Sequence, residues 1–269
     1  MARPEVSAVR RVASIGGGPI GAGWAAHFLA CGFDVLGYLH SMGEEKAYRK
    51  VLDTAWISLT ELGLAKGASR ERLTLTDRLE EAVADADFVQ ESAPERLELK
   101  QQLYEKLGRL VPADIVIASS TSGLMMTDVQ ALCSSPERTV IGHPFNPPYL
   151  VPLVEVVGGE QTDPAAVDWA LDFYTRAGKK ALRCSNELPG FVANRIQDAA
   201  WRELLHMVAN DEATVEECDV ALVYGPGARW APSSPVRSWA RSSARRSSRS
   251  RGPDASDRPD RPTLYTRAP

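Results

Sequence analysis

A chain of 269 residues with 44% hydrophobic residues can hold one large domain or two small ones around a sizeable core. A net charge of −4 and the lack of any apolar run of bilayer length argue against a membrane-spanning protein and against a dedicated nucleic-acid binder. The average hides a division, because Ala231 to Pro269 carries nine Arg against three Asp and leaves the preceding residues at −10.

Met1 to Arg11 has charge but no apolar core of signal-peptide length, so a cytoplasmic protein is expected. The four cysteines (Cys31, Cys133, Cys184, Cys218) form no C-x-x-C pair and suit reduced thiols, with no metal site implied. Val12 to Ile15 reads as a strand that enters Gly16-Gly17-Gly18-Pro19-Ile20-Gly21 and then an apolar helix. The spacing G-x-G-x-x-G is common by itself. Between a strand and a helix it marks a dinucleotide site: Gly16 for the tight turn, Gly18 for close approach of a pyrophosphate, Gly21 for helix–sheet packing. Pro19 and Ile20 then open a helix whose N-terminus faces the phosphates. The acid that should hold the adenosine ribose at the end of the second strand, Phe33 to Leu39, is replaced by Leu39, and no arginine is adjacent. Glu44 and Glu45 fall to the next helix, and the choice between NAD and NADP stays open.

Met42 to Leu64 has a helical pattern, Leu73 to Leu75 and Phe88-Val89 read as strands, and a helix runs on from Gln90-Glu91-Ser92-Ala93-Pro94-Glu95 through Leu110. By spacing alone, Glu95 and Lys100 are a solvated helix face. The strand Ile115 to Ala118 ends in Ser119-Ser120-Thr121-Ser122, hydroxyls that either cap the following helix or face a ligand at the strand's end. Thr139 to Gly142 delivers His143. Leu153 to Val157 is a short buried strand with one acid, Glu155, inside it. An ionised carboxylate there needs a donor, and His143 is the best candidate. Taken alone, a core histidine and a strand-end glutamate on the surface are the better reading.

Pro164 to Ala177 reads as a helix and Lys180 to Cys184 as an edge strand. The alternation predicts an α/β fold, a Rossmann-type doubly wound, mostly parallel sheet over residues 1–186. From 187 to 230 the chain turns helical, with Thr214 and Glu217 spaced as a capping box, and reads as a truncated all-helical domain. The Ser-, Arg- and Pro-rich stretch 231–269 is too poor in large apolar residues to offset its ordering entropy and reads as a disordered tail.

Together these motifs, with Pro189-Gly190-Phe191-Val192-Ala193-Asn194-Arg195, resemble the 3-hydroxyacyl-CoA dehydrogenase superfamily, and within it the carnitine-oxidising branch, over residues 10 to 230. The resemblance implies NAD as cofactor and a small-molecule substrate, carnitine or another 3-hydroxy acid derivative. It implies His143 as general base, Glu155 as its orienting carboxylate, and Ser122 and Asn194 as groups that help hold the substrate oxygen. Glu95 and Lys100 fall beside the nicotinamide ribose, and relatives are homodimers. The chemistry is coherent by itself, because imidazole is suited to take a hydroxyl proton near neutral pH while a carboxylate behind it holds the tautomer. Phe145, Tyr149, Trp201 and Trp230 are candidates for an aromatic cage around a trimethylammonium group. Rival readings are a 3-hydroxyacyl-CoA dehydrogenase, a sugar-acid 3-dehydrogenase, and a dinucleotide-binding remnant without turnover. The resemblance ends near residue 231, which suggests a frameshift product with an incomplete helical domain.

Overall fold

The computed structural model describes residues 3–227; Trp230 and the expected tail at 231–269 lie outside the described residues. The chain divides into two compact units, Met1–Val192 and Ala193–Pro269.

In the first unit the described residues form one eight-stranded sheet, built from β1 (Arg11–Ile15), β2 (Asp34–Tyr38), β3 (Leu73–Thr76), β4 (Phe88–Glu91), β5 (Ile117–Ser119), β6 (Thr139–Pro144), β7 (Leu153–Gly158) and β8 (Lys180–Arg183). Their spatial order is β3-β2-β1-β4-β5-β6-β7-β8. From β3 to β6 every pair is parallel. The crossovers carry α1 (Pro19–Ala30), α2 (Glu45–Leu62), α3 (Leu79–Val83), α4 (Leu97–Leu110) and α5 (Met126–Val129). Only the loop 145–152 joins β6 to β7, too short for a crossover, and these two strands pair antiparallel. A further helix, α6 (Pro164–Arg176), returns the chain to β8, parallel to β7. The expected doubly wound, mostly parallel sheet is therefore observed.

Both faces of the sheet are covered, so the strands alternate between two apolar clusters rather than between core and water. Val12, Phe88, Val140, Val154 and Val156 pack with α1, α2 and α6. Ala13, Val89, Ile141 and Val157 face α3, α4 and α5. The first cluster is dominated by aromatic rings, with Phe88 and Phe173 only 4.1 Å apart between centroids and Trp169 stacked on Phe173 at 5.6 Å. Such rings dominate the apolar burial of a core. Tyr174 packs so closely over β6 that a Cβ on Gly142 would lie 2.6 Å from its Cζ, so the residue before His143 has to be glycine. That contact turns Gly142 to one face and its neighbour His143 to the other.

The second unit contains α7 (Ala193–Ala209) and α8 (Val215–Leu222). The capping box expected for α8 is present: the Glu217 amide donates to Thr214 Oγ1 at 3.1 Å, and the Thr214 amide donates to Glu217 Oε2 at 2.8 Å. Among the described residues no helix is long and apolar enough to cross a membrane, and all four cysteines are free thiols.

One buried group makes stability depend on pH. His27 on α1 donates from Nε2 to the Ala177 carbonyl at 2.8 Å, and its Nδ1 has no partner among the described residues. Burial, reinforced by the Lys179 ammonium and opposed by the Ala177 hydrogen bond, lowers its pKa to about 3. Above pH ~6.5 the imidazole is neutral both folded and unfolded. Between 6.5 and 3 the unfolded chain binds a proton that the folded chain refuses, so stability falls as pH drops, by up to about 1.4 kcal/mol per unit. Denaturant titrations at several pH values should find this slope in the native chain and a smaller one in His27→Gln. Equal slopes in the two would refute the assignment.

Candidate active site

The glycine-rich turn follows β1, at the point where the strand order reverses between β1 and β4. Ligands of open α/β sheets bind at such a switch point, beyond the carboxyl ends of the strands. Gly16 has φ +128 and its amide donates to the Tyr38 carbonyl at 3.0 Å; a side chain there would meet the Ser92 carbonyl at 2.5 Å. A Cβ on Gly21 would collide with the Gly16 carbonyl, which is why α1 can press so close to its own turn. Gly18 is different, because a Cβ there would find no protein atom within 4 Å. The open side of Gly18 faces a cleft of about 1000 Å³, also lined by Pro19 and Ile20. Pro19 occupies the first position of α1, where its missing N–H is no loss, and the next amides of the first turn have no intrahelical partners. The cradle suits a dinucleotide pyrophosphate, and Gly16, Gly18, Pro19, Ile20 and Gly21 are the residues that would hold it.

Strand register carries this edge to the candidate catalytic pair. Ile15 pairs with Glu91, Glu91 with Ser119 and Ser119 with Ile141, so one row crosses β1, β4, β5 and β6. His143 lies two residues past Ile141, on the same edge as the glycine turn. Across the antiparallel pair it faces Glu155 directly. His143 Nδ1 and Glu155 Oε2 are 2.9 Å apart, with Glu155 fully buried and His143 3% exposed. The other carboxylate oxygen accepts from the Val192 amide at 2.9 Å and lies 3.8 Å from Cys184 Sγ. A carboxylate so placed holds the imidazole with its proton on Nδ1, which leaves Nε2 as an acceptor. Phe145 and Phe191 flank the ring, at centroid distances of 5.1 and 5.5 Å. The surface glutamate that spacing alone allowed is therefore a buried partner of the histidine.

The loop after His143 is anchored from below. Lys179 donates to the Pro148 and Val151 carbonyls, and its ammonium stands 5.3 Å over the Trp24 ring. Burial lowers the Lys179 pKa to about 8. At the end of β5, Ser120 Oγ accepts from Trp24 Nε1 at 3.1 Å and Gln90 Nε2 at 3.0 Å, and it shares a 2.8 Å hydrogen bond with Ser92. This hydroxyl ties α1, β4 and β5 together under the edge.

Of Glu95 and Lys100, only Glu95 meets solvent, with 44% of its side chain exposed, and it precedes α4. Lys100 is 1% exposed, and its main partner is Glu91, a residue that spacing did not single out: Nζ donates to Glu91 Oε1 at 2.6 Å. Glu95 Oε2 lies 3.7 Å from the same ammonium. Its Oε1 instead accepts from Thr121 Oγ1, from the Ser122 amide at 3.0 Å and from the Gly123 amide at 3.2 Å. Glu91 also accepts from Ser119 Oγ at 2.6 Å and the Ala93 amide at 2.6 Å. The available signal was an acid at the carboxyl end of a central strand, nine residues before a lysine. Ser122 stands exposed in the loop that Glu95 organises, and Asn194 sits in the first turn of α7, in the second unit. Of the aromatic candidates, Phe145 lies against the imidazole, Tyr149 packs on the core, and Trp201 is an exposed residue of α7.

The sequence of the 3-hydroxyacyl-CoA dehydrogenase NAD-binding domain matches residues 11–188, and that family's C-terminal domain matches residues 190–260. The chain belongs to the 3-hydroxyacyl-CoA dehydrogenase family, and is an NAD-dependent oxidoreductase of that family. It is 57% identical over 232 residues to an L-carnitine dehydrogenase of Streptomyces coelicolor, covering 86% of this chain and 73% of that one. Identity to an L-carnitine dehydrogenase of Streptomyces griseus is 58%, over 86% of this chain and 69% of the relative. Among solved structures, an NAD-dependent 5-formyl-3-hydroxy-2-methylpyridine 4-carboxylic acid 5-dehydrogenase superposes with a TM-score of 0.78 at 33% identity, over 83% of this chain and 72% of that one.

The buried ion pair beneath this edge should be costly to break from one side. Lys100→Met is expected to lower stability by about 3–5 kcal/mol, because it strands a buried carboxylate. Adding Glu91→Gln should recover part of the loss, and a double-mutant cycle in denaturant measures the coupling. Strictly additive losses would show that the pair does not act as a unit.

Proposed function

We propose that this chain oxidises the 3-hydroxyl of L-carnitine to 3-dehydrocarnitine. The observation that carries the reading is the buried His143–Glu155 pair on the edge that bears the glycine turn. The shared naming of the two Streptomyces relatives supports the choice of substrate. Bound NAD supplies the acceptor for the hydride that leaves the hydroxyl-bearing carbon. His143 takes the hydroxyl proton at Nε2, since Nδ1 is engaged by Glu155, and Glu155 stabilises the imidazolium that forms. Ser122 and Asn194 are assigned to steady the developing alkoxide. Glu95, from the loop that Lys100 and Glu91 hold, is assigned to the ribose beside the nicotinamide. Phe145 offers an aromatic face to the trimethylammonium, worth about 0.5–2 kcal/mol. The free thiols suit a cytoplasmic protein.

The family match supports a second reading, oxidation of a 3-hydroxyacyl-CoA by the same pair. NADH formation from L-carnitine, 3-hydroxybutyryl-CoA and a 3-hydroxy sugar acid, each with NAD, separates the two. Under the first reading only carnitine gives turnover at low concentration. With the preferred substrate, His143→Gln is expected to lower kcat by about 10²–10⁴-fold. Binding of NADH should be left nearly unchanged. A folded His143→Gln protein with full turnover would end the assignment.

A further inference from the structure

The cleft lacks the expected acid at the end of β2, and another carboxylate occupies its place. Leu39 is fully buried in the apolar cluster beneath α1 and α2, so position 39 is turned away from the nucleotide. After Leu39 the chain makes a tight turn, in which Ser41 Oγ accepts from the Gly43 amide at 3.2 Å and the Ser41 carbonyl accepts from the Glu44 amide at 3.0 Å. Glu44 is thereby folded back over the glycine-rich turn instead of joining α2, which starts one residue later. A Cβ on Gly17 would collide with the Glu44 carboxylate, whose Cδ lies 2.9 Å from that point. Glu44 lines the same cleft as Gly16, Gly18 and Ile20, and its carboxylate makes no hydrogen bond or ion pair among the described residues. A half-buried acid beside the middle glycine, with no acceptor duty among the described residues, is placed to receive hydroxyl donors from a ligand.

We propose that Glu44 is the residue that binds the adenosine ribose, accepting hydrogen bonds from its hydroxyls and excluding a 2′-phosphate. The charge around it agrees. Asp77 and Glu80 line the same wall, and after burial, Asp77, Glu80 and Glu44 in turn raise the pKa of the Tyr38 hydroxyl. A phosphate dianion brought to this wall would meet three carboxylates. The cations of the cleft, Lys106 and Arg109, come from α4, and Arg109 is paired with Glu105 at 2.5 Å. The assignment rests on the family's use of NAD and concerns which residue of this chain reads the ribose.

The test is nucleotide binding without substrate, by NADH and NADPH fluorescence titration of the full chain. The native protein is expected to bind NADH more tightly than NADPH. Glu44→Gln should weaken NADH about tenfold, the loss of one charge-assisted hydrogen bond. NADPH should change little or bind better, so that the preference narrows. Glu44 contributes no side-chain pairing to the fold, so Tm should stay near the native value. Leu39→Asp, which buries a carboxylate in an apolar cluster, should lower Tm without tightening NADH. Unchanged NADH affinity in a folded Glu44→Gln protein would overturn the proposal, as would tighter NADH binding by Leu39→Asp. If the native chain binds neither nucleotide, the dehydrogenase reading itself fails, and the role of Glu44 with it.

Discussion

A carboxylate with no exposure to water can stay ionised only where the fold brings donors to it. Glu155 is such a group, met by the His143 imidazole on one oxygen and by the Val192 amide on the other. Much of the sheet's carboxyl edge is arranged to permit that meeting. The antiparallel turn between β6 and β7 sets the two residues directly opposite each other. Gly142 lets Tyr174 close one face of β6, and Phe191 and Cys184 close the other around the pair. An imidazole held this way has its acceptor nitrogen defined by what the opposite nitrogen already binds.

A second buried acid organises the cofactor half of the edge. Glu91 draws Lys100 inward from α4 and takes hydrogen bonds from Ser119 and the Ala93 amide. This draws together the ends of β4 and β5 and the start of α4. Glu95, next along, then gathers the amides of Ser122 and Gly123. The loops that follow β4 and β5 are thus positioned by charge rather than by apolar packing. The Glu91–Lys100 pair costs desolvation and is stable because the remaining carboxylate oxygen accepts from Ser119. The gain is a rigid edge, and a preorganised edge is what placement of an alcohol against a dinucleotide requires.

Much of the fold was legible along the chain. The strand–glycine turn–helix unit at Val12 to Cys31, the alternation of strands and helices, and the helical character after Phe191 follow from local pattern and length. The Thr214–Glu217 box was readable because its partners are three residues apart. The site was legible only in part. His143 and Glu155 stand out as polar residues in apolar strands, yet spacing could not decide between a surface acid and a buried pair. Lys100 was misread from spacing as surface, since a helical wheel shows a charge but not the acid waiting at the end of a neighbouring strand. Glu44 was assigned to the next helix, because no local rule predicts that a turn at Ser41 folds it back onto Gly17.

The sequence by itself determined the class of fold, the dinucleotide turn and the identity of the polar residues that chemistry would need. Those properties depend on neighbours within a few positions, where periodicity, glycine φ preferences and capping act. The tertiary structure decided which acid meets which base, Glu155 with His143 and Glu91 with Lys100, and it set Glu44 rather than residue 39 beside Gly17. Such pairings depend on strand register, on the side to which each crossover passes and on which side chains the core has room to bury. These are set by the packing of the whole sheet and have no counterpart in any short stretch of chain.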